Sequence, residues 1–141
     1  MATTRTASAH WEGSLMEGAG QVSLESSGVG TYDVTWASRA EEANGRTSPE
    51  ELLAAAHSTC FSMALSHALA QAGTPPTSID TTAEVTFQPG TGITGVVLKV
   101  TGVVPGISAD QFLEAAEGAR TGCPVSQALS VPITLEASFS A

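Results

Sequence analysis

The chain has 141 residues, the usual size of a single domain with one hydrophobic core. Hydrophobic residues make up 42% of the sequence and charged residues only 13%, a composition that excludes a disordered chain. The formal net charge is −9, and the five basic residues are scattered along the sequence. Such a charge repels nucleic acids and anionic membrane surfaces, so neither is expected as a partner.

The N-terminal residues contain no apolar segment of signal-peptide length. The longest apolar stretch, residues 52–72, is interrupted by histidine, serine and glutamine, which argues against a membrane-spanning segment. The sequence therefore predicts a cytoplasmic protein, in which a structural disulfide is unusual. The two cysteines, Cys60 and Cys123, are expected to be free, metal-bound or redox-active.

The first third of the chain predicts three short strands, because β-branched and aromatic residues are separated there by glycine-rich turns. These strands are predicted at residues 6–11, 21–25 and 32–36. A polar loop from Arg39 to Arg46 is expected to follow them.

A long helix is predicted from Pro49 to about Ala72. Ser48 is a suitable N-cap, Pro49 suits the first helical position, and Glu51 completes a capping box. Gly73, which is followed by two prolines, is expected to end the helix. The apolar residues cover nearly its whole circumference, a pattern that predicts a buried helix.

The second half of the chain alternates between strand and helix patterns. We predict two long strands, a helix opened by a capping box, a short helix or turn, and a final strand, at residues 79–87, 93–104, 108–121, 123–129 and 131–139. The long strands carry the alternation typical of a half-buried antiparallel sheet. The order β-β-β-α-β-β-α-β, with hairpins rather than βαβ units, predicts an α+β fold.

The two cysteines have different local settings. Cys60 lies in the middle of the long apolar helix, where burial raises the pKa of a thiol and a simple packing role is favoured. Cys123 follows a helix and precedes Pro124, where it can cap the next turn, with Arg120 three residues before it. A helix N-terminus and a cation both lower the pKa of a thiol. Local sequence therefore favours Cys123 as the more reactive cysteine, although an ordinary N-cap role explains it equally well.

Glu50 and Glu51 both lie in the first helical turn, where acidic residues are favoured. Glu51 is accounted for by the capping box, so Glu50 is freer to act elsewhere. Since each helical residue rises about 1.5 Å, a straight helix separates Glu50 from Cys60 by about 15 Å. If both residues belong to one site, either the helix breaks or the glutamate comes from a partner subunit, which favours a dimer.

A zinc site in a non-enzymatic metal-binding dimer is an alternative function. His57, Cys60 and His67 share one helical face, and Cys123 would supply a fourth ligand. The spacing matches no short zinc signature, and the interval from Cys60 to His67 spans about 10 Å, too far for two ligands of one ion. A further alternative is a redox-silent dimer in which Cys60 belongs only to the core.

Two segments together resemble the OsmC/Ohr family, and its OsmC branch in particular: SPEELLAAAHSTCFSMALS at residues 48–66 and GCPVS at residues 122–126. Further similarity at residues 10–13 and 77–83 extends the likeness over essentially the whole chain. The resemblance implies an OsmC-like intertwined homodimer, in which antiparallel sheets wrap around two central helices and two active sites lie at the subunit interface. The whole chain, residues 1–141, would then be one OsmC-like domain.

The resemblance also implies a stress-induced peroxidase that reduces organic hydroperoxides with no bound cofactor, using an external dithiol or lipoyl-type reductant. By match to the family's motifs, Cys60 is the peroxidatic cysteine and Cys123 the resolving cysteine, which reverses the ranking from local chemistry. Glu50 matches the active-site glutamate, and Arg39 matches the arginine that the OsmC branch places beside the thiolate.

The chemistry implied by this match is physically consistent. Arg39 would hold the Cys60 thiol as a thiolate, and Glu50 would orient the guanidinium group. Attack on a hydroperoxide gives an alcohol and a sulfenic acid, which Cys123 converts to a disulfide. An apolar interface pocket, with Phe61 and Met63 as candidate lining residues, would favour alkyl or lipid hydroperoxides.

Overall fold

A computed structural model describes all residues from 1 to 141 and contains six strands and four helices. The chain divides into two compact units, Met1–Leu52 and Leu53–Ala141. The expectation of one OsmC-like domain over the whole chain stays a prediction. The α+β class predicted from the sequence is confirmed, since separate sheets and helices follow one another along the chain.

The first unit contains a three-stranded antiparallel sheet with the order β1-β2-β3. Its strands lie within two or three residues of the predicted positions, at Ser8–Glu12 for β1, Ala19–Ser23 for β2 and Thr31–Val34 for β3. Each strand has only four or five residues, and most of their side chains are exposed.

A short helix, α1 (Trp36–Ala40), replaces the predicted strand end and the start of the predicted loop, so that part of the prediction was wrong. Thr35 caps this helix: its Oγ1 accepts a hydrogen bond from the Ser38 N–H, and Ser38 Oγ accepts one from the Thr35 N–H, both at 3.0 Å. The reciprocal pair is a capping box with serine in place of the usual glutamate or glutamine. It places Arg39 on a helix rather than in a loop.

The long helix, α2 (Pro49–Gln71), is unbroken over 23 residues, as predicted. Ser48 Oγ accepts a hydrogen bond from the Glu51 N–H at 3.1 Å, which confirms Ser48 as the cap. The Glu51 carboxylate accepts a hydrogen bond from the Thr47 hydroxyl at 2.6 Å. The helix ends before Gly73, whose φ of 83° lies in the left-handed region that glycine adopts readily.

Only one stripe of α2 is buried, so the prediction of a helix buried on all sides was wrong for the single chain. The stripe repeats every fourth residue and consists of His57, Phe61, Leu65 and Leu69. By length and composition α2 also meets the criterion for a membrane span, with a mean hydropathy of 1.2 over an 18-residue window that is 22% buried. This is weak evidence for a membrane, because core helices of soluble proteins meet the same criterion.

The second unit contains a three-stranded sheet with the order β4-β5-β6. Its strands are Ser78–Gln88 for β4, Gly92–Val103 for β5 and Ile133–Ser140 for β6. β4 and β5 form an antiparallel hairpin, whereas β5 and β6 are parallel. The predicted absence of βαβ units was therefore wrong at this point, because parallel neighbours require a crossover and two helices supply it.

These two helices are α3 (Ala109–Gly122) and α4 (Pro124–Ala128). The ring of Phe112 on α3 stacks on Phe139 of β6 with centroids 5.3 Å apart. The same ring lies against Gly102 of β5, where any larger residue would place its Cβ in contact with the ring. This packing fixes the course of α3 over the sheet and hence the position of Cys123, which follows its last residue.

Candidate active site

The second unit brings Cys60 and Cys123 together. Both are free thiols; Cys60 on α2 is partly exposed, whereas Cys123 is fully buried. The two thiols lie close enough together that the ionisation of one affects the pKa of the other. Two cysteines that are far apart in the sequence thus form one pair in the fold.

The spacing of the residues explains how the pair is built. Residues three apart lie on the same face of a helix, so His57 and Cys60 on α2 face in one direction. Cys123 and Ser126 have the same separation on the first turn of α4. The two faces meet, with Cys60 against Cys123 and His57 against Ser126.

Cys123 is at once the C-cap of α3 and the N-cap of α4. Its N–H donates a hydrogen bond to the carbonyl of Ala119 at 3.0 Å, and its Sγ accepts one from the Ser126 N–H at 3.5 Å. The prediction that Cys123 caps the turn after it is confirmed. Arg120 is directed elsewhere, because it pairs with Glu117 at 2.8 Å and donates to the carbonyl of Ile133 at 3.2 Å.

The pKa values of the two thiols shift in opposite directions. Burial raises the pKa of Cys123, but hydrogen bonds from the Ser126 backbone and hydroxyl, from Cys60 and from the Val125 N–H outweigh it, so the pKa is lowered. Burial raises the pKa of Cys60; the Val125 N–H opposes this rise, and the neighbouring Cys123 adds to it. Within one chain, Cys123 is therefore the cysteine that ionises more easily, as local sequence indicated.

Ser126 links Cys123 to a buried histidine. The Oγ atom of Ser126 lies 3.6 Å from Cys123 Sγ and 2.7 Å from His57 Nε2. His57 is fully buried, and burial lowers its pKa. From the sequence, His57 was predicted only as a zinc ligand and Ser126 was assigned no role. The signal for Ser126 was its position at N3 of the helix that Cys123 caps, where a residue contacts the cap.

Arg39 and Glu50 form an ion pair within the first unit. Arg39 Nε donates to both carboxylate oxygens of Glu50 at 3.1 and 3.2 Å, and Arg39 Nη2 donates to Oε2 at 2.9 Å. The Glu50 side chain is only 8% exposed and that of Arg39 is 32% exposed. A bidentate pair of this kind fixes the plane of the guanidinium group.

Residues 1–141 contain no group of three or more histidine, cysteine, aspartate or glutamate side chains that could hold a metal ion. His57 instead contacts Ser126, and His67 is exposed. The zinc alternative therefore has no set of ligands in this chain. Of the two suggested pocket residues, Phe61 is fully buried in the core and cannot line an open pocket, whereas Met63 is 68% exposed.

Comparison with known proteins connects this geometry to a family. Residues 42–138, more than half of the chain, match the family described as OsmC-like protein. The chain is 48% identical over 131 residues to the peroxiredoxin OsmC of Escherichia coli strain K12, and the match covers 91% of each protein.

Solved structures share the fold. An OsmC-like protein from Mycoplasma pneumoniae has a TM-score of 0.75 at 11% identity, with 100% of both chains covered. An organic hydroperoxide resistance protein OsmC from Legionella pneumophila has a TM-score of 0.70 at 24% identity, covering 99% of this chain and 100% of that one. The family match, the identity to the Escherichia coli protein and the shared fold together show that this chain belongs to the OsmC family.

Proposed function

We propose that this chain is a thiol-dependent peroxidase that reduces organic hydroperoxides to alcohols through Cys60 and Cys123. The observation that carries the proposal is the closeness of the two thiols, each of which affects the pKa of the other, in a chain 48% identical to a peroxiredoxin. Two free thiols in contact can be joined as a disulfide and separated again, which is the cycle of a two-cysteine peroxidase.

Exposure decides which cysteine attacks the peroxide. A hydroperoxide arriving from solvent can reach the partly exposed Cys60, whereas Cys123 is fully buried behind it. The Cys60 thiolate attacks the distal peroxide oxygen, the O–O bond breaks, and the departing alkoxide takes up a proton to become the alcohol. Cys60 is left as a sulfenic acid. The lower pKa of Cys123 then suits it to the second step rather than the first.

Cys60 needs a positive charge beside it, because burial raises its pKa. The Arg39–Glu50 pair can supply one. Since α2 is unbroken, about 15 Å of helix separate Glu50 from Cys60 in the same chain. We therefore infer that Arg39 of the partner subunit lies beside the Cys60 thiolate and that its own Glu50 orients it.

A homodimer accounts for the apolar face of α2 that the single chain leaves exposed. The exposed side of this helix carries Met63 and several alanines, including Ala55 and Ala56. Apolar patches of this kind on a long helix mark an interface, and small residues allow a second helix to approach closely. Pairing of α2 with its copy buries the face, and this explains the hydropathy of the helix without a membrane.

The second half of the cycle consumes an external reductant. Cys123 attacks the sulfenic sulfur of Cys60, which forms the disulfide and releases water. A dithiol or lipoyl-type reductant then restores both thiols, and no prosthetic group takes part. We place the protein in the cytoplasm, where thiol reductants keep such a pair reduced, and we assign it to defence against oxidative and osmotic stress.

Two substitutions test the proposal. Cys60→Ser is expected to abolish reduction of cumene hydroperoxide in the presence of a dithiol. Cys123→Ser is expected to retain a single turnover and to leave a sulfenic acid on Cys60 that dimedone traps. His10→Gln, an exposed change on β1, serves as the control. Full turnover by Cys60→Ser would refute the proposal, and exchanged phenotypes would reverse the two roles.

A further inference from the structure

A buried chain of hydrogen bonds runs from His57 through Ser126 to Cys123. His57 Nε2 lies 2.7 Å from Ser126 Oγ, and the same oxygen lies 3.6 Å from Cys123 Sγ. His57 and Cys123 are fully buried, and Ser126 is 7% exposed. The peroxidase cycle described above makes no use of His57, and it uses Ser126 only as a hydrogen-bond donor to Cys123.

The hydrogen-bond chain from His57 to Cys123 can hold its protons in two arrangements with the same distances between the heavy atoms. In the first, the Cys123 thiol donates to Ser126 Oγ, and the Ser126 hydroxyl donates to an unprotonated His57 Nε2. In the second, His57 Nε2–H donates to Ser126 Oγ, and the hydroxyl donates to a Cys123 thiolate. Because a hydroxyl can both donate and accept, Ser126 can pass a proton between the other two groups.

Two features of His57 suit it to accept a proton for a short time only. Burial keeps the ring neutral by lowering its pKa, so Nε2 can act as an acceptor near neutral pH. Its Nδ1 atom is buried without a hydrogen-bond partner. A protonated ring carries hydrogen on both nitrogens, and a buried N–H without a partner is unfavourable. A proton taken up at Nε2 is therefore readily released again.

We propose that Ser126 and His57 form a proton relay for the resolving step, in which they accept the proton of the Cys123 thiol as it attacks Cys60. This inference rests on the proposed function. The proton passes from Cys123 to Ser126 Oγ while the hydroxyl proton of Ser126 passes to His57 Nε2.

The electrons and atoms of the step balance without a further reactant. The electron pair of Cys123 sulfur forms the S–S bond as the S–O bond of the Cys60 sulfenic acid breaks. The departing hydroxide takes a proton from solvent, and His57 later returns its proton to solvent. The net change is one sulfenic acid and one thiol converted to one disulfide and one water.

Separate rates for Cys60 oxidation and for disulfide formation distinguish proton transfer by Ser126 and His57 from a packing role. Ser126→Ala removes the hydroxyl and leaves the Ser126 N–H bond to Cys123 in place. We expect oxidation of Cys60 by hydroperoxide to change by less than about twofold, and disulfide formation to slow by at least about tenfold. His57→Gln should slow the same step, Ser126→Thr should recover most of the rate, and His10→Gln, an exposed histidine change on β1, should leave both steps unchanged. Rapid quenching with dimedone, followed by mass spectrometry, measures both steps.

A second measurement does not depend on peroxide chemistry. In a Cys60→Ser background, the ultraviolet absorbance of the Cys123 thiolate is followed against pH, with and without Ser126→Ala. The inference predicts that loss of the hydroxyl moves this titration to higher pH, because the thiolate loses a donor. An unchanged titration would overturn it.

The outcomes separate the inference from the proposed function. If Ser126→Ala forms the disulfide as fast as the parent protein, or if both steps slow equally, the relay is overturned while the peroxidase stands. If the parent protein forms no sulfenic acid on Cys60, the proposed function fails, and the resolving role of the relay fails with it.

Discussion

Replacement of Glu50 by glutamine tests whether the Arg39–Glu50 pair activates Cys60, the proposed attacking cysteine. The change keeps the size of the side chain and one oxygen acceptor but removes the charge that holds Arg39 through three hydrogen bonds of 2.9 to 3.2 Å. Because the Glu50 carboxylate is 8% exposed, little solvent is present to replace it. A charged hydrogen-bonded pair in such a setting contributes about 1.5–3 kcal/mol.

Glu50→Gln should also lower the reactivity of Cys60. Arg39 released from Glu50 no longer stabilises the Cys60 thiolate, and a change of one pKa unit corresponds to about a tenfold change in the thiolate population below the pKa. We therefore expect the second-order rate constant for Cys60 oxidation to fall by about 10- to 100-fold. Single-turnover mixing with cumene hydroperoxide at fixed protein concentration measures it.

Glu51→Gln is the matched control, because Glu51 lies next in the same helical turn and its carboxylate accepts from the exposed Thr47 hydroxyl. It should change the rate constant by less than about twofold and the free energy of unfolding by less than about 0.5 kcal/mol. Equal rate constants for Glu50→Gln and Glu51→Gln would refute the assignment of the Arg39–Glu50 pair to the Cys60 site.

Two further predictions concern the interface and the buried histidine. Met63→Glu places a charge on the exposed apolar face of α2 and should convert the dimer to monomers, as measured by sedimentation velocity. Met63→Leu should leave the dimer intact. A stable Met63→Glu dimer would exclude this face as the interface. Because burial lowers the pKa of His57, the unfolded chain binds a proton at a higher pH than the folded chain does, so stability is lost as pH falls below the ordinary value of 6.5. The free energy of unfolding should change with pH by at most about 1.4 kcal/mol per pH unit, and this dependence should disappear in His57→Gln. Denaturant unfolding at several pH values measures it. The same dependence in His57→Gln would assign it to other groups.

The elements with strong local signals were predictable from the sequence. The helix bounds predicted from Ser48 and Gly73 agree with those of α2 within one residue, because an N-cap hydroxyl and a left-handed glycine satisfy the free backbone groups at helix ends. α1 was missed because its capping box uses Ser38 instead of an acidic or amide side chain. The parallel pairing of β5 and β6 was missed because local alternation does not reveal which strand is the neighbour.

The features of the site were likewise predictable only where neighbours in the sequence determine them. Local chemistry correctly identified Cys123 as an N-cap with a lowered pKa, since the determining groups lie within three residues of it. It could not show that Cys60 contacts Cys123 or that His57 contacts Ser126, because both contacts join α2 to a distant part of the chain. Exposure, on which the proposed division of roles between Cys60 and Cys123 rests, is likewise a property of the folded chain.

The mass of the protein after reaction with one equivalent of an organic hydroperoxide shows whether Cys60 and Cys123 form one redox pair. We expect a chain that has lost two hydrogen atoms and, after proteolysis, a linked pair of peptides containing Cys60 and Cys123 of the same chain, together with one equivalent of alcohol. Formation of the alcohol with both cysteines still free, or with Cys123 oxidised and Cys60 intact, would rule out this pair as the centre of the reaction.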